Sequence, residues 1–593
     1  MARLARPVGE LRADYDAVVV GSGYGGGVAA SRLARAGLKV AVLERGKEFL
    51  PGEFPSSLLA SQREMQISAA GRRIGADDAL FDLRLGRDVH AMMACGLGGT
   101  SLINANVCLS PDMLVFEDER WPAALRTDHY LSVGFGRARE MLAPETLPET
   151  TTPAKLAALE VAAAAFGREA ERVPLHIAFK DKVNRAGVRQ AACTLCGDCM
   201  GGCNVGAKTT VHSTYLTDAA AYGAAIFTGL KVRFVERAAG GLWRVSFVMH
   251  TASDKVVPIR SVQAPIVILA AGTFGSNEIL FRSRARGLAL SDQLGKRIST
   301  NADAIAFGYN NDRPIGAVGV GNPPKEGVPR PGPAVSGLID LRRRRDPADR
   351  LAIVEASIQS AMARVLPLML PAGAVLGTDT DKGLNDLLAE LKRTGESLVG
   401  GAYKGAVNNT QVFLAVGHDS GRGEMVLDGD HVTIRWPDAL SEPVFQRIEV
   451  ALTKAVKATG GTYVANPVSK SFLGGNLFTV HPLGGAGMGE SRDTGVVDHM
   501  CRVFDAGSSQ GRDAVHDGLF VCDGAVMPCS LGVHPLLTIT AVAERAMLLL
   551  AKVRGLTLDV GSVKADAKAA ALVPGAVAEA ARPRAGLLSR WRT

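Results

Sequence analysis

Short, unbroken apolar runs mark the predicted strands of this chain. The first covers residues 16–20, DAVVV; a glycine-rich turn, an alanine-rich segment to about Ala36 and a second apolar run at 39–43 follow it. Unbroken runs of β-branched residues are typical of strands buried on both faces of a parallel sheet. Gly37 is expected to end the helix, because glycine is favoured just after a helix C-terminus. The pattern predicts a βαβ unit near the start.

Similar signals recur in the middle and near the end of the chain. Strands are predicted at 266–270, ahead of a turn at Gly272, and at 519–522, and a helix from about 538 to 553. The stretch from about 300 to 470 carries alternating strand-like segments such as 431–436. We interpret this as a discontinuous nucleotide-binding domain with a second domain inserted into it. The predicted ranges are 14–110, 204–300 and 472–556 for the nucleotide-binding domain, 111–203 for a connecting region, 301–471 for a substrate-binding domain and 557–593 for a flexible C-terminal tail.

Composition places the chain among globular proteins. Of its 593 residues, 47% are hydrophobic and 21% are charged, and the net charge of +8 is spread along the chain. With four Trp and eight Tyr and no interleaving of basic and aromatic residues, we expect no nucleic-acid binding. No apolar run reaches the roughly 18 residues of a spanning helix. The first residues lack the apolar core of a signal peptide, so a cytoplasmic location is expected.

Glycine is the residue whose distribution is most informative. The 67 glycines gather in clusters at 21–27, 96–99, 201–206 and 484–489. Clusters of glycine allow the backbone to approach a ligand closely. The sequence therefore predicts several points of contact with bound groups.

The first cluster fits the dinucleotide-binding pattern G-x-G-x-x-G. Gly21 would allow the tight turn, Gly23 the approach of the pyrophosphate, and Gly26 close packing of helix and strand. Glu44 ends the second strand, where a carboxylate would bind the ribose hydroxyls and repel a 2′-phosphate. These residues alone leave FAD and NAD open, and a glycine turn used only for packing is the alternative.

Further motifs resemble those of the GMC (glucose–methanol–choline) oxidoreductases. They are GLGGTSLIN at 96–104, HPLGG at 481–485, CDGAVMP at 522–528, GVHP at 532–535 and TITAVAER at 538–545. The motifs follow one another in the same order as in this family, and the resemblance extends from about residue 15 to 553. The motif sequences are most similar to those of the cholesterol oxidases. It implies an α/β fold, in which a discontinuous Rossmann-like FAD-binding domain carries an inserted α+β substrate domain built on an antiparallel sheet.

The resemblance also implies FAD as cofactor and assigns contacts to it. These are Tyr24 and Gly25 in the phosphate turn, Gly99 and Asn104 along the isoalloxazine, Val232 at the adenine, and Asp523 and Gly524 beside the ribityl–pyrophosphate. Some family members attach the flavin covalently through a histidine near the second glycine loop. His90 is the candidate here, but its spacing is off by one residue, so FAD is expected to bind non-covalently.

Two histidines and one glutamate are the candidate catalytic residues. His481 is assigned as the base for the hydroxyl proton and His534 as its partner, because imidazole is mostly neutral at pH 7. Two ordinary core histidines are the alternative. Where this chain has His534, secreted cholesterol oxidases have Asn. Glu355 matches the carboxylate that those enzymes use to move a steroid double bond; burial would raise its pKa, and a paired or edge-exposed glutamate is the alternative.

A cysteine run supplies a candidate metal site. Cys193, Cys196, Cys199 and Cys203 follow the spacing C-x2-C-x2-C-x3-C seen in bacterial ferredoxins. An iron–sulfur cluster would use all four, or three in a three-iron form. Zinc is the second interpretation, and no bound metal is the third, with disulfides disfavoured in a reducing compartment. The other cysteines are expected to be buried structural residues.

The predicted function is FAD-dependent oxidation of an apolar alcohol, in first place a 3-hydroxysteroid such as cholesterol, with oxygen or an electron carrier as acceptor. The alternative is a dehydrogenase of a long-chain or other alcohol that passes electrons to an iron–sulfur centre or a carrier. The apolar stretch 361–376 would suit a lid over a substrate drawn from a membrane by peripheral contact, or else plain core. A flavoprotein without catalysis is the rival class, and both histidines argue against it.

Overall fold

The computed structural model describes residues 2–69, 71–250, 258–380, 383–466 and 476–561. In chain order the strands are β1 (Ala17–Val20), β2 (Val40–Leu43), β3 (Met65–Ala69), β4 (Arg72–Ile74), β5 (Phe81–Leu85), β6 (Val89–Ala94), β7 (Glu171–Arg172), β8 (Lys182–Val183), β9 (Arg189–Gln190), β10 (Ala225–Phe227), β11 (Leu230–Arg237), β12 (Trp243–Met249), β13 (Arg260–Ala264), β14 (Ile266–Leu269), β15 (Ala304–Tyr309), β16 (Gly337–Asp340), β17 (Ala352–Ala356), β18 (Thr378–Asp379), β19 (Gln411–Val416), β20 (Glu424–Asp428), β21 (His431–Arg435), β22 (Thr462–Ala465), β23 (Leu477–Thr479), β24 (Arg502–Phe504) and β25 (Val515–Val521).

The helices connect these strands and cover the sheets. In chain order they are α1 (Tyr24–Arg35), α2 (Leu58–Arg63), α3 (Ala124–Thr127), α4 (Tyr130–Leu142), α5 (Ala154–Ala164), α6 (Thr217–Ala221), α7 (Gly272–Arg284), α8 (Leu366–Ala374), α9 (Leu384–Gly400), α10 (Gly405–Asn408), α11 (Pro443–Lys457) and α12 (Leu536–Val553).

The predicted nucleotide-binding sheet is present. Six strands lie in the order β10-β2-β1-β14-β25-β24, and all neighbours are parallel except β24, which joins antiparallel at the edge. Every residue of β1, β2 and β14 is buried, as their unbroken apolar runs require. The sheet unites segments from the start, middle and end of the chain, so the predicted α/β class is confirmed.

The turn between β1 and α1 has the predicted form. Gly21 has φ +90°, a left-handed conformation that glycine adopts without strain. The helix α1 begins at Tyr24 directly after this turn. Gly37 follows the helix with φ +85°, which confirms it as the stop.

A second large sheet is antiparallel. Its seven strands lie in the order β18-β22-β15-β19-β17-β16-β7. Six of the seven strands come from the segment predicted as the substrate domain, whereas β7 comes from the predicted connecting region and extends the sheet at one edge. Residues 431–436 lie elsewhere than in this sheet, since β21 forms a two-stranded hairpin with β20.

A five-stranded sheet that no sequence pattern predicted brings two motifs together. Its order is β23-β6-β5-β3-β4, and β23 runs parallel to β6 with Thr479 opposite Ala91. Because the carboxyl ends of two parallel neighbours lie at the same edge, the segments that follow them are adjacent. The loop at 96–104 follows β6, and His481 follows β23. Strands from distant parts of the chain therefore place the second glycine loop and the candidate base side by side.

The apolar stretch at 361–376 is neither plain core nor fully exposed. Leu366 and Leu370 of α8 are buried, whereas Leu368 is 69% exposed and Val375 is 84% exposed. In the described part of the chain, no helix is long and apolar enough to cross a membrane. Most of the predicted C-terminal tail, from residue 562 onward, lies outside the described residues.

Candidate functional site

The glycine turn ahead of α1 forms an open cradle. A Cβ atom on Gly25 would lie 1.4 Å from Cys522 O, and one on Gly26 would lie 2.2 Å from Gly21 O, so both positions require glycine for packing. Gly23, the N-cap of α1, differs: among the described atoms none lies within 4 Å of its Cβ position. Free space beside the unpaired N–H groups of a helix N-terminus fits a pyrophosphate.

Glu44 holds the glycine turn through its carboxylate. Oε2 accepts hydrogen bonds from Ser22 N (3.1 Å) and Ser22 Oγ (2.5 Å), and Oε1 accepts one from Gly46 N (2.7 Å). Burial raises the pKa of Glu44 and outweighs these hydrogen bonds, which act in the opposite direction. The carboxylate therefore already has structural partners, and ribose binding by Glu44 stays a prediction.

Asp523 ties the end of β25 to the start of α7. Its Oδ2 accepts hydrogen bonds from Gly272 N (2.9 Å) and Ser276 Oγ (2.5 Å), and its Oδ1 accepts one from Ala525 N (2.8 Å). Burial raises the pKa of Asp523 to about 6 despite these donors. The next residue, Gly524, has no room for a side chain, because a Cβ would lie 2.7 Å from Thr273 Oγ1.

The second glycine loop packs directly on the first. Gly98 N donates to Ser22 Oγ at 3.0 Å, and a Cβ on Gly99 would lie 2.8 Å from Gly23 Cα. Gly98 and Gly99 both have positive φ, at +117° and +56°. The two glycine loops that were predicted to contact the cofactor are therefore neighbours.

Asn104, at the end of the second glycine loop, belongs to a buried polar group. Its Nδ2 donates to the Tyr24 hydroxyl at 2.7 Å, and its Oδ1 is buried with no hydrogen-bond partner among the described atoms. His176 lies behind them, with Nδ1–H donating to Thr209 O at 2.7 Å and Nε2 3.4 Å from the Tyr24 hydroxyl. Burial lowers the pKa of His176 to about 3, so its imidazole is neutral. The orphaned oxygen of Asn104 is a free acceptor beside the cradle.

Val232 lies close to the other end of the cradle. The strand β11 begins beside Glu44, the residue after β2, because Leu230 N donates to Glu44 O at 2.9 Å. The pairing of β11 with β12 shifts register between Val232 and Phe234. A bulge disrupts the ladder locally, which suits the predicted backbone contact of Val232 with an adenine.

His90, the candidate for covalent flavin attachment, lies inside β6. It is 3% exposed, and its Nε2 lies 3.3 Å from Asn476 Nδ2. Burial lowers the pKa of His90. Non-covalent binding of FAD stays the prediction.

Asp303 holds His481 in one orientation. The Oδ1 atom of Asp303 accepts a hydrogen bond from His481 Nδ1 at 2.7 Å. Its Oδ2 accepts from Thr479 Oγ1 (2.8 Å), Val480 N (2.8 Å) and His481 N (3.0 Å). The Asp303 side chain is 1% exposed, and that of His481 is 13% exposed. The Nε2 atom of His481 thus carries the free lone pair, because Nδ1 bears the proton.

The two candidate catalytic histidines lie together. The rings of His481 and His534 are 5.1 Å apart between centroids, with an angle of 81° between their planes. Both ring nitrogens of His534 are buried without a hydrogen-bond partner among the described residues. Burial, followed by the neighbouring His481 and Arg342, holds the pKa of His534 well below its usual range. His534 is therefore neutral, and its two nitrogens are available to a bound molecule.

Asn301 fixes the loop that carries His534. Its Nδ2 donates to Val533 O at 2.8 Å, and its Oδ1 accepts from Leu531 N (2.9 Å) and Gly532 N (3.1 Å). Asn301 has φ +58°, an unusual backbone conformation that asparagine tolerates better than most residues. The segment 300–303 therefore orients both histidines.

Glu355 is a fully buried, paired carboxylate. Its Oε1 lies 2.8 Å from Lys155 Nζ, and both side chains are 0% exposed. Its oxygens also accept hydrogen bonds from Ser336 N (2.9 and 3.1 Å) and Gly337 N (3.2 Å). This is the paired-glutamate alternative raised by the sequence, and an unpaired base at this position is not what the structure shows.

The four clustered cysteines line one cavity. The structure forms no disulfide among the described cysteines, and Cys95, Cys108, Cys501, Cys522 and Cys529 are buried as predicted. Among the described residues, no three His, Cys, Asp or Glu side chains are arranged to hold a single metal ion. Lys208 lines the same cavity as Cys193, Cys196, Cys199 and Cys203.

Sequence reasoning missed three of the polar residues that organise the site. Asp303, His176 and Asn301 stand in none of the motifs that the sequence revealed. Each acts across a long separation, as Asp303 does on His481, which lies 178 residues later. The one available signal was the run of polar residues at 299–303, STNAD, just ahead of a strand.

Comparison with known proteins shows that the chain is an oxidoreductase that acts on alcohols. Two sequence models of the GMC oxidoreductase family match the chain, the N-terminal one over residues 15–301 and the C-terminal one over 470–543. The protein belongs to the GMC oxidoreductase family, and this family implies FAD as the cofactor of the cradle. The match confirms the resemblance that the motifs indicated.

Individual relatives support the same assignment. The chain is 28% identical to a cholesterol oxidase of Mycobacterium tuberculosis (strain ATCC 25618 / H37Rv), over 90% of this chain and 91% of that protein. It is 27% identical to a cholesterol oxidase of Acinetobacter baumannii (90% and 94%) and 24% identical to a long-chain-alcohol oxidase of Arabidopsis thaliana (89% and 66%). The crystal structure of pyridoxine 4-oxidase from Mesorbium loti has the same fold, with a TM-score of 0.54 and 15% identity over 91% of this chain and 99% of that one.

Proposed function

We propose that this protein oxidises the hydroxyl group of an apolar alcohol, with FAD as the hydride acceptor and His481 as the base. The observation that carries the proposal is the orientation of His481. Its Nδ1 is fixed on Asp303, its Nε2 is free, and it follows a strand parallel to the one that leads into the second glycine loop. A base held in this way beside the expected flavin ring is what alcohol oxidation requires.

The residues around the cradle fit FAD. Gly23 leaves space at a helix N-terminus, and the orphaned Oδ1 of Asn104 offers an acceptor beside the second glycine loop. FAD, when bound, supplies N5 as the acceptor of a hydride from the alcohol carbon. Glycine at position 99 allows the loop to lie flat against its neighbour.

The proton of the alcohol goes to His481. Its Nε2 accepts the hydroxyl proton while the hydride leaves the carbon, and the buried Asp303 carboxylate stabilises the resulting imidazolium through Nδ1–H. Three further donors keep Asp303 in place during this step. The carboxylate therefore acts on the reaction by positioning His481.

His534 orients the same hydroxyl group. Its ring lies nearly perpendicular to that of His481, and its nitrogens have no protein partner in the described structure. A neutral imidazole donates one hydrogen bond and accepts another. His534 can therefore hold the substrate oxygen without competing for its proton.

The substrate class is inferred from the relatives. The cholesterol oxidases and the long-chain-alcohol oxidase are both named for apolar alcohols. A 3-hydroxysteroid is our first candidate, because the cholesterol oxidases match over nine-tenths of both chains. A long-chain alcohol is the second, favoured by the match to the plant oxidase.

The proposed function does not include movement of a steroid double bond. It would need Glu355 as a base, and that carboxylate is engaged by Lys155 and two backbone N–H groups. We therefore expect the oxidised sterol to leave with its double bond unmoved. Ultraviolet absorption of the extracted product distinguishes a conjugated from an unconjugated ketone.

The experiment that tests the function is anaerobic bleaching of the flavin absorbance. The purified holoenzyme is mixed with cholesterol in detergent, with a long-chain alcohol, and with glucose. We expect bleaching by one or both apolar alcohols and none by glucose. Bleaching by glucose alone would contradict the substrate class, and bleaching by no alcohol would contradict the function.

A further inference from the structure

We propose that Cys193, Cys196, Cys199 and Cys203 bind a four-iron iron–sulfur cluster in the cavity that they line. The proposal goes beyond the oxidation of an alcohol and does not depend on which alcohol is used. It rests on the thiols, on the backbone around them and on a buried lysine.

The four thiols are available and face common space. None of them is in a disulfide, and all four line the same cavity. They lie within eleven consecutive residues, in the spacing that bacterial ferredoxins use for their clusters. No other described part of the chain has such a set.

The arrangement of the thiols is not that of a site for a single zinc ion. A structural zinc site needs four ligands in a tetrahedron at about 2.3 Å from one ion. Within the ranges that the structure describes, no three ligand side chains are arranged around a single ion. A cluster distributes its cysteines over separate irons, so the sulfurs surround a larger volume.

One backbone N–H group of the cysteine loop already points to a sulfur of the set. Leu195 has φ +60°, and its N–H points to Cys193 Sγ at an N···S distance of 3.4 Å. Hydrogen bonds from backbone N–H groups to the sulfurs tune the potentials of such clusters. Asp198 anchors the loop to the neighbouring segments, because its carboxylate accepts from Ser360 N (2.6 Å) and Gly321 N (3.0 Å).

A buried ammonium group faces the same cavity without an anionic partner. Lys208 is 2% exposed, and its Nζ donates to three carbonyl oxygens, those of Cys199 (3.2 Å), Leu102 (3.1 Å) and Asn104 (2.7 Å). No carboxylate of a described residue pairs with it. An uncompensated buried charge is costly. A cluster held by four thiolates is anionic and would compensate it.

Lys208 also locates the site relative to the cofactor. Two of its three acceptors, Leu102 O and Asn104 O, belong to the second glycine loop, and the third belongs to a cysteine of the set. The Lys208 side chain therefore connects the proposed cluster site to the loop that is expected to lie along the flavin ring.

The test is a measurement of metal and sulfide in the holoenzyme purified without oxygen. We expect about four iron atoms and about four acid-labile sulfides per chain, and an electron paramagnetic resonance signal after reduction with dithionite. One zinc ion per chain, three irons per four sulfides, or a flavin-loaded protein with neither iron nor sulfide would each overturn the proposal.

Two variants show whether the cysteine run carries the metal. Cys196→Ser is expected to lose most of the iron, whereas Cys108→Ala, which alters a buried cysteine outside the set, is expected to keep it. Flavin content and the unfolding midpoint report whether each variant is folded. Iron retained in a folded Cys196→Ser variant would overturn the four-ligand assignment. Iron content is independent of turnover, so a cluster-loaded enzyme that oxidises no alcohol would contradict only the proposed function.

Discussion

His481 derives its chemistry from an aspartate that precedes it by 178 residues. Replacing His481 by Ala removes the proton acceptor but leaves the glycine cradle intact. We expect FAD to remain bound and its reduction by alcohol to fall by about 10²–10⁴-fold, the usual contribution of a general base. Stopped-flow absorbance under nitrogen measures this rate. The exposed His129→Ala variant is the matched control and should keep the wild-type rate; an unchanged rate in His481→Ala would remove this residue from the mechanism.

Asp303 is predicted to act through His481 alone. In Asp303→Asn the side chain cannot stabilise an imidazolium by charge, so we expect kcat to fall by about 10²-fold or more while KM changes little. The exposed Asp438→Asn is the control. A rise in KM with kcat unaltered would show that Asp303 serves substrate binding instead.

The raised pKa of Asp523 predicts that the stability of the protein depends on pH. Its pKa is raised to about 6 by burial, compared with about 3.9 in an unfolded chain. The folded protein therefore binds more protons between these values. This group's contribution to stability is present below pH about 4 and is lost as the pH rises through about 6.

The measurement compares unfolding midpoints of the wild type and Asp523→Asn from pH 4 to 7. We expect the free energy of unfolding of the variant, relative to that of the wild type, to increase by up to about 3 kcal/mol as the pH rises. This difference should level off above pH about 6. A difference that is constant over this range would contradict the raised pKa.

Site residues that belong to short sequence motifs could be predicted, whereas their partners from distant parts of the chain could not. The glycines at 21, 23 and 26 and the histidines at 481 and 534 were assigned from short patterns, and the structure brings each set together. Asp303 could not be found, because a carboxylate ahead of a strand is ordinary and its contact with His481 depends on the fold. The pairing of Glu355 with Lys155 joins residues 200 positions apart, and it could not be predicted from the sequence either.

At the scale of elements, β17 and α5 are joined by a buried charge pair. Removing one partner leaves the other charge uncompensated at 0% exposure. We expect Glu355→Gln to lower the free energy of unfolding by about 3–5 kcal/mol. The double variant Lys155→Met/Glu355→Gln is expected to recover much of that loss. Chemical unfolding checks both. A single variant as stable as the wild type would show that the pair contributes nothing.

Elements with a strong apolar pattern were predicted well, whereas short strands were not. The runs at β1, β2 and β14 are apolar because both sheet faces are covered, so their sequence alone revealed a parallel sheet. The strands β6 and β23 have mixed composition, and β23 is three residues long. Their pairing depends on the rest of the molecule, although it positions the catalytic base.

At the scale of the whole molecule, the site lies where three sheets meet. The parallel sheet supplies the cradle, the five-stranded sheet directs the second glycine loop and His481, and the segment at 300–303 leads into the antiparallel sheet. The α/β class and the order of segments followed from the sequence. The extra sheet did not, because its strands carry no motif.

The most direct test of hydride transfer with His481 as the base is the rate of anaerobic flavin reduction by an alcohol that carries hydrogen or deuterium on its hydroxyl-bearing carbon. The proposed mechanism predicts that cholesterol bleaches the flavin of the wild type, that deuterium at that carbon slows the bleaching, and that His481→Ala is bleached far more slowly with either compound. Bleaching that is equally fast in His481→Ala, or no bleaching by any apolar alcohol, would contradict it.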